Sequence, residues 1–242
     1  MATTGPEASA SRRRGDAMAI VLAGGAGRRL GSAAAGDQPA VDKPAVDKAA
    51  VELSGRTLFD RVVTAVVGEV DGVLVVTAPG RPPPACRVPV EIVPDSRPGA
   101  GPLAGLADGL RHARQRQPAC RRAIVVSCDL PLLRPALLGM LLDRVAEPGR
   151  RWVVPVVGGH PQPLVSALAI DCLAEVEARL ATGAHDLRGL LADLRHTGPA
   201  AVLELGEDDL RRLDPGLDSF RDVDTPADLR AAVSRLQSAS PG

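Results

Sequence analysis

Four short runs that are apolar at nearly every position, instead of at every second one, constrain this chain most. They are Met18 to Ala23 (MAIVLA), Gly72 to Ala78 (GVLVVTA), Ala123 to Cys128 (AIVVSC) and Trp152 to Val157 (WVVPVV). A strand with one wet face alternates apolar and polar residues, whereas a strand covered on both faces does not, and cover on both faces is the mark of parallel sheets between layers of helices. The intervening segments fit that scheme. Leu58, Val62, Val63, Val66 and Val67 recur at helical spacing within Thr57 to Val67. Pro102 to Gln115, Pro135 to Val145 and Asp171 to Ala181 also read as helices, and Val88 to Pro94 and Gln162 to Ala169 as extended. The expected class is α/β, three-layered, with a mostly parallel sheet. In such sheets ligands bind at the carboxyl ends of the strands, which directs attention to Gly24, Asp95, Asp129 and the segment before Thr225.

Composition removes several function classes. Among 242 residues there are two Phe, one Trp and no Tyr, so the core is built from Val, Leu, Ile and Ala, and the aromatic platforms of single-strand binders are missing. Lys plus Arg equals Asp plus Glu at 29 each, which leaves no basic field to gather a nucleic acid or a membrane surface. The four cysteines (Cys86, Cys120, Cys128, Cys172) lie far apart and read as reduced thiols. No run approaches the roughly 20 apolar residues of a spanning helix, and Arg12, Arg13 and Arg14 are followed by no apolar segment, so neither signal nor anchor is expected and the location is cytoplasmic. Residues 1–17 lack periodicity and read as a disordered extension, residues 18–238 as one domain and residues 239–242 as a tail.

Chemistry concentrates in a few segments. Leu22-Ala-Gly-Gly-Ala-Gly-Arg-Arg-Leu-Gly31 opens directly after the first strand. Its glycines let backbone N–H groups approach a phosphate, and Arg28 and Arg29 add charged donors. It is no Walker A loop, because no Gly-Lys-Ser/Thr closes it, and Leu30 breaks the dinucleotide pattern. The plain alternative is a βα turn with two solvated arginines. Downstream, Pro39-Ala-Val-Asp-Lys43 is repeated at once as Pro44-Ala-Val-Asp-Lys48, within a stretch that reads equally as a flexible insertion. Asp129 follows an apolar strand and precedes Leu130-Pro131, a position suited to a hard oxygen ligand for Mg²⁺; the alternative is a cap for the next helix. Asp224 is open to the same two readings, and Asp222 reads as solvated or standing behind the ligands. Thr225-Pro226-Ala227-Asp228 carries a helix-start signal. In Pro94 to Gly105 the glycines and prolines leave room for a flat base against backbone, and the Asp95 carboxylate suits the N1–H and 2-amino donors of guanine. His112, His185 and His196 read as solvated in helical, Arg-rich surroundings, and Cys128 as a buried inert thiol within its strand. There is no zinc-type spacing and no Gly-x-Ser-x-Gly elbow.

The glycine loop, with Val46-Asp-Lys48-Ala-Ala-Val-Glu-Leu-Ser-Gly55 behind it, resembles the opening of nucleotidyltransferases that activate sugars, polyols and molybdopterin. Asp95 to Gly105 resembles the D-x-x-x-G-x-G-P-L-A-G segment of the molybdenum cofactor guanylyltransferases, Cys128-Asp-Leu-Pro131 their C-D-x-P, and Phe220 to Leu229 their F-x-N-V-N-T-P-E-D-L. Asp222 and Asp224 stand where that last motif has asparagines, a pattern shared with the related cytidylyltransferases. The resemblance runs from about Met18 to Leu236. It implies a Rossmann-like fold of the nucleotide-diphospho-sugar transferase type and transfer of GMP from GTP to the terminal phosphate of molybdenum-molybdopterin. The alternatives are a cytidylyltransferase, transfer to another phospho-acceptor, or a GTP-binding protein without catalysis. It further implies nucleotide binding by Leu22, Ala23, Gly24, Gly25, Gly27, Arg28, Lys48, Asp95, Gly101, Pro102 and Asp129, with Arg28, Lys48 and Asp129 catalytic. Lys48 is preferred over Lys43 because the residues after it continue the family pattern. Mg²⁺ is implied on Asp129 and Asp224, the acceptor near His160 and Pro161, and apo-molybdoenzymes or their chaperones as partners.

Overall fold

The computed structural model of the chain describes residues 15–23 and 48–239. In chain order the elements are β1 (Ala17–Leu22), a hairpin of β2 (Glu52–Leu53) and β3 (Arg56–Thr57), α1 (Leu58–Val67), β4 (Gly72–Thr77), β5 (Glu91–Pro94), α2 (Pro102–Arg116), β6 (Arg122–Ser127) and α3 (Pro135–Val145). They continue through β7 (Trp152–Val157), β8 (His160–Pro161), β9 (Val165–Ala169), α4 (Leu173–Ala181), α5 (Leu187–His196), β10 (Val202–Leu205), α6 (Glu207–Arg211) and α7 (Pro226–Ala239). Among the described residues the main sheet has eight strands in the order β10-β7-β9-β6-β1-β4-β5, with β8 paired to β7. The pairs β1/β4, β1/β6, β4/β5 and β7/β10 are parallel, and only β9 and the short β8 run against their neighbours.

The apolar runs become strands for the reason anticipated. Every residue of β1 is buried, because alternate side chains feed two separate cores. Met18, Ile20 and Leu22 pack with α2, α4 and α5 on one face, while Ala17, Ala19 and Val21 pack with α1, α3 and α6 on the other. A third, small cluster of Leu53, Leu58, Val223 and Ala232 joins α7 to the β2–β3 hairpin and the start of α1. No helix among the described residues is long and apolar enough to cross a membrane.

Several local expectations need correction. The Val88 to Pro94 strand pairs only from Glu91, since Pro89 has no N–H to donate. Gln162 to Ala169 is interrupted by Pro163, so pairing begins at Val165, while His160–Pro161 folds back on β7 through a turn in which Gly158 and Gly159 both take positive φ (59° and 76°). The Asp171 helix opens as a 3-10 turn over Ile170–Cys172. Helix α5, strand β10, helix α6 and the β2–β3 hairpin were not anticipated. Cys128 lies one residue past β6 and is half-buried, so it is not a strand residue. His185 sits in an exposed loop before α5 instead of a helix, and His112 is not simply solvated, because its Nε2 meets Glu91 Oε1 at 2.7 Å. The four cysteines form no disulfide, and burial pushes the thiol pKa of Cys120 up to about 11 and that of Cys172 up to about 12.

Candidate active site

The carboxyl edge of the sheet collects the segments of interest. β1 ends at Leu22, and the Ala23 N–H continues its ladder by donating to Val76 O at 2.9 Å. The glycine loop with Gly24, Gly25, Gly27 and Arg28, and also Lys43, lies outside the described residues. Description resumes at Lys48, which opens a 3-10 turn over Lys48–Ala50.

Lys48 is placed against acids from the far end of the chain. Its Nζ pairs with Asp224 Oδ1, both side chains being largely buried at 17% and 30% exposure. Asp224 is therefore not the cap of α7. That role falls to a reciprocal pair: Thr225 Oγ1 accepts from the Asp228 N–H at 3.2 Å, and Asp228 Oδ2 accepts from the Thr225 N–H and the Thr225 hydroxyl, both at 2.8 Å. The same oxygen accepts from the Asp224 N–H at 3.2 Å, so the cap also fixes the backbone of Asp224. The hydroxyl of Thr225 is the main cause that holds the Asp228 carboxyl below its usual pKa.

Asp129 stands in the turn after β6, half-buried. The residue capping α3 is Arg134, which removes the alternative of Asp129 as its cap. Two backbone bonds dock this turn: Cys128 N–H donates to Leu22 O at 3.2 Å, and Val223 N–H donates to Asp129 O at 3.0 Å. The second brings the Asp222–Asp224 segment beside Asp129. Farther along, the wholly buried Asp214 accepts from Arg134 Nε at 3.0 Å and from the Ser219 N–H at 2.8 Å, tying the C-terminal segment to the start of α3. Asp222 responds to this crowding. Loss of solvation at its carboxylate, then the negative charges of Asp224 and Asp129, push its pKa up. The corner thus gathers Asp129, Asp222 and Asp224 about Lys48, with Asp228 at its rim, although among the described residues no three His, Cys, Asp or Glu side chains already stand in a metal-holding arrangement.

Beside this corner, a cleft of about 210 Å³ opens between Leu22, Val76, Asp95, Gly101, Pro102, Gly105 and Leu164. Asp95 is only 8% exposed. Its N–H extends the β4–β5 ladder to Thr77 O at 2.8 Å, and its Oδ1 accepts from the Arg97 N–H at 2.9 Å, while Oδ2 takes no hydrogen bond from the described residues. Gly101 precedes α2 with φ 83° and ψ 177°, a conformation open essentially to glycine alone. A Cβ there would also stand 3.2 Å from the carbonyl oxygen of His185, so the loop before α5 leans on the mouth of the cleft. Pro102 occupies the first turn of α2, where its missing N–H costs nothing.

His160 and Pro161 lie on the β7–β8 hairpin at the same edge of the sheet, His160 exposed and Pro161 half-buried. The turn is held from α6, where Glu207 Oε1 accepts from the Gly158 N–H at 2.8 Å; this bond is the main cause that lowers the Glu207 pKa. The structure thus brings Lys48, Asp129, Asp222 and Asp224 together, sets Asp95, Gly101 and Pro102 around the neighbouring cleft, and carries His160 on a separate hairpin. Sequence reasoning missed Asp108, whose carboxylate reaches Ser96 beside Asp95. No local pattern marks it.

Comparison with known proteins identifies the family. The family model described as MobA-like NTP transferase domain matches residues 19–198. A molybdenum cofactor guanylyltransferase of Rhizobium meliloti (strain 1021) is 29% identical over 220 residues, covering 90% of this chain and 91% of that protein. A probable molybdenum cofactor guanylyltransferase of Mycolicibacterium paratuberculosis is 31% identical over 172 residues, covering 71% and 79%. Among solved structures, molybdopterin-guanine dinucleotide biosynthesis protein A from Archaeoglobus fulgidus superposes with a TM-score of 0.68 at 23% identity, covering 91% of this chain and 99% of that one. The 2-C-methyl-D-erythritol 4-phosphate cytidylyltransferase of Thermus thermophilus shares the fold with a TM-score of 0.62 at 20% identity, covering 92% and 99%. The chain belongs to the MobA-like NTP transferase family and is a nucleotidyltransferase.

Proposed function

We propose that this nucleotidyltransferase transfers the GMP moiety of GTP to the terminal phosphate of molybdenum-loaded molybdopterin, releasing pyrophosphate. The observation that carries this reading is the convergence of Lys48, Asp129 and Asp224 beside the Asp95 cleft. In the reaction an acceptor phosphate oxygen forms a bond to the α-phosphorus, and the bond from that phosphorus to the bridging oxygen breaks in line. The electron pair leaves with pyrophosphate. The nucleophile is already an anion and needs no general base, so the protein contributes position and charge.

The described residues take roles suited to their positions, and Gly24, Gly25, Gly27 and Arg28 take theirs from the motif they carry. Asp95 accepts from the N1–H and 2-amino groups of guanine through Oδ2, the oxygen that no described residue occupies. The backbone of Gly101 and Pro102 lies against the base, Leu22 and Ala23 begin the phosphate loop, and Gly24, Gly25, Gly27 and Arg28 continue it. Lys48 leaves Asp224 to meet the triphosphate. Asp129 and Asp224 are hard carboxylate donors in a corner with excess negative charge, the donor chemistry that suits Mg²⁺. When bound, the ion supplies charge neutralisation for the phosphates. The exposed hairpin with His160 and Pro161 faces the acceptor. The test is pyrophosphate release from GTP, Mg²⁺ and molybdenum-molybdopterin, with CTP alongside. Turnover with GTP well above CTP is expected; preference for CTP, or no pyrophosphate with either, overturns the reading.

A further inference from the structure

The cleft beside the acidic corner is braced from behind by charges that do not touch it. Asp108, on α2, is 7% exposed, one of the few acids buried among the described residues. Its Oδ2 accepts from the Ser96 N–H at 2.7 Å, and its Oδ1 accepts from the Ser96 hydroxyl at 3.0 Å and from Arg111 Nη1 at 2.8 Å. Arg111 reaches on to Glu177 Oε1 on α4 at 2.8 Å. Ser96 directly follows Asp95, whose own N–H is fixed to Thr77 O. The backbone of Asp95 is therefore held from both sides, by the sheet before it and by Asp108 after it.

The helix makes this arrangement more than a local turn. Gly105 and Asp108 are three residues apart within α2 and so neighbour each other on its surface, while Gly101 stands just before the helix. Gly101 and Gly105 line the cleft together with Asp95. The helix that lines the cleft through Gly105 thus also carries the carboxylate that fixes the backbone next to Asp95. From this we infer that Asp108 is the positioning residue of base recognition: it sets the separation between the Asp95 carboxylate and the α2 wall, and through Arg111 and Glu177 it couples that separation to α4.

This inference rests on the reading of Asp95 as the acceptor for guanine. Two donors on a purine edge can both reach one carboxylate only within a narrow range of positions, because hydrogen bonds weaken steeply away from linear geometry. A loop released from Asp108 keeps the carboxylate but loses its aim. Inosine triphosphate lacks the 2-amino group and depends less on that aim, so the GTP-to-ITP affinity ratio reports it directly.

The experiment is equilibrium binding of GTP and ITP, with Mg²⁺, to the full chain and to Asp108→Ala, Ser96→Ala and Asp95→Ala, each with a melting curve, followed by kcat and KM for GTP. For Asp108→Ala we expect GTP binding about tenfold weaker, the scale of one hydrogen bond to a charged acceptor. ITP binding should change little, so the ratio collapses, with KM raised and kcat retained. Ser96→Ala should fold normally and move the ratio the same way by a smaller factor. Asp95→Ala separates the two ideas. If it leaves the ratio unchanged, the reading of Asp95 fails. If it collapses the ratio while Asp108→Ala and Ser96→Ala do not, the positioning role alone is overturned. Equal weakening of GTP and ITP by Asp108→Ala and Ser96→Ala would mark a purely structural acid and also overturn it.

Discussion

Replacing Gly105 by alanine should move stability and nucleotide affinity in opposite directions. The residue is buried in the interior of α2, where alanine is favoured over glycine by about 1 kcal/mol. A Cβ at this position would meet Leu22 Cδ2 at 3.3 Å and Val76 Cγ1 at 3.5 Å, contacts that are close without being prohibitive. Relieving the nearer one is expected to take back about half of the propensity gain, leaving about +0.5 kcal/mol and a melting temperature about 1–2 °C higher. Leu22 and Val76, however, floor the cleft assigned to the base, and the new methyl would rest on them inside a space of about 210 Å³. Overfilling a close-packed site costs about 1–3 kcal/mol, which corresponds to GTP binding weaker by about fivefold to 150-fold. Calorimetric titration of GTP beside a thermal melt followed by circular dichroism reads both quantities on one sample. A Gly105→Ala protein that is as stable as the parent and binds GTP with unchanged affinity would refute the placement of the base.

Asp129→Ala should abolish pyrophosphate release while shifting the melting temperature by no more than about 2 °C, because the backbone oxygen of Asp129, not its carboxylate, holds the Val223 segment; a fully active variant excludes Asp129 from metal binding. Lys48→Met frees the Asp224 carboxylate, so Mn²⁺ should bind the nucleotide-free protein severalfold more tightly in a spin-resonance titration while GTP binds more weakly. Unchanged Mn²⁺ affinity would mean that Lys48 does not compete for that oxygen. Asp60 provides a test by pH. Burial raises its pKa, but the hydrogen bonds from the Arg87 N–H at 2.9 Å and Arg56 Nε at 2.7 Å, with the charges of both arginines, override burial and leave it below the usual range. A depressed carboxyl contributes stability that is present above its unfolded pKa of about 3.9 and lost as pH falls through the folded value. Asp60→Asn should therefore cost about 1–3 kcal/mol at pH 7, with the deficit shrinking below about pH 3.9 in denaturant titrations; a deficit independent of pH would contradict the assignment.

The central fold was legible because burial on two faces leaves a direct imprint on composition, as in β1, β4 and β6. Elements at the periphery leave weaker imprints. β10 has only four residues, one of them exposed Glu204, and gains its place by pairing with β7 far back in the chain. Helix α5 was in fact readable: Leu187, Leu190, Leu191 and Leu194 fall on one face, and Asp186 caps it by accepting from the Gly189 N–H at 2.6 Å. In the site, the acids at positions 129 and 224 could be picked out from motifs, whereas the ion pair of Lys48 with Asp224 spans 176 residues and depends on how α7 docks, which no local pattern encodes. Asp108 was hidden for a related reason. Its partner Ser96 belongs to a different element, and a charged residue in a helix usually faces water.

The docking of α7 on its own small cluster gives the acidic corner a separate lifetime. Leu53, Leu58, Val223 and Ala232 form a patch apart from the two large cores, so α7 can open without dismantling the sheet. Amide exchange should find the α7 amides opening at a lower free energy than those of β1 and β6. During synthesis the same layout imposes an order. At about 5–20 residues per second, the 176 residues between Lys48 and Asp224 take about 10–35 s to emerge. Every strand of the sheet has left the ribosome by then, since β10 ends at Leu205. The nascent protein therefore acquires its framework first and its acidic corner last, and no half-made chain carries the complete charge cluster.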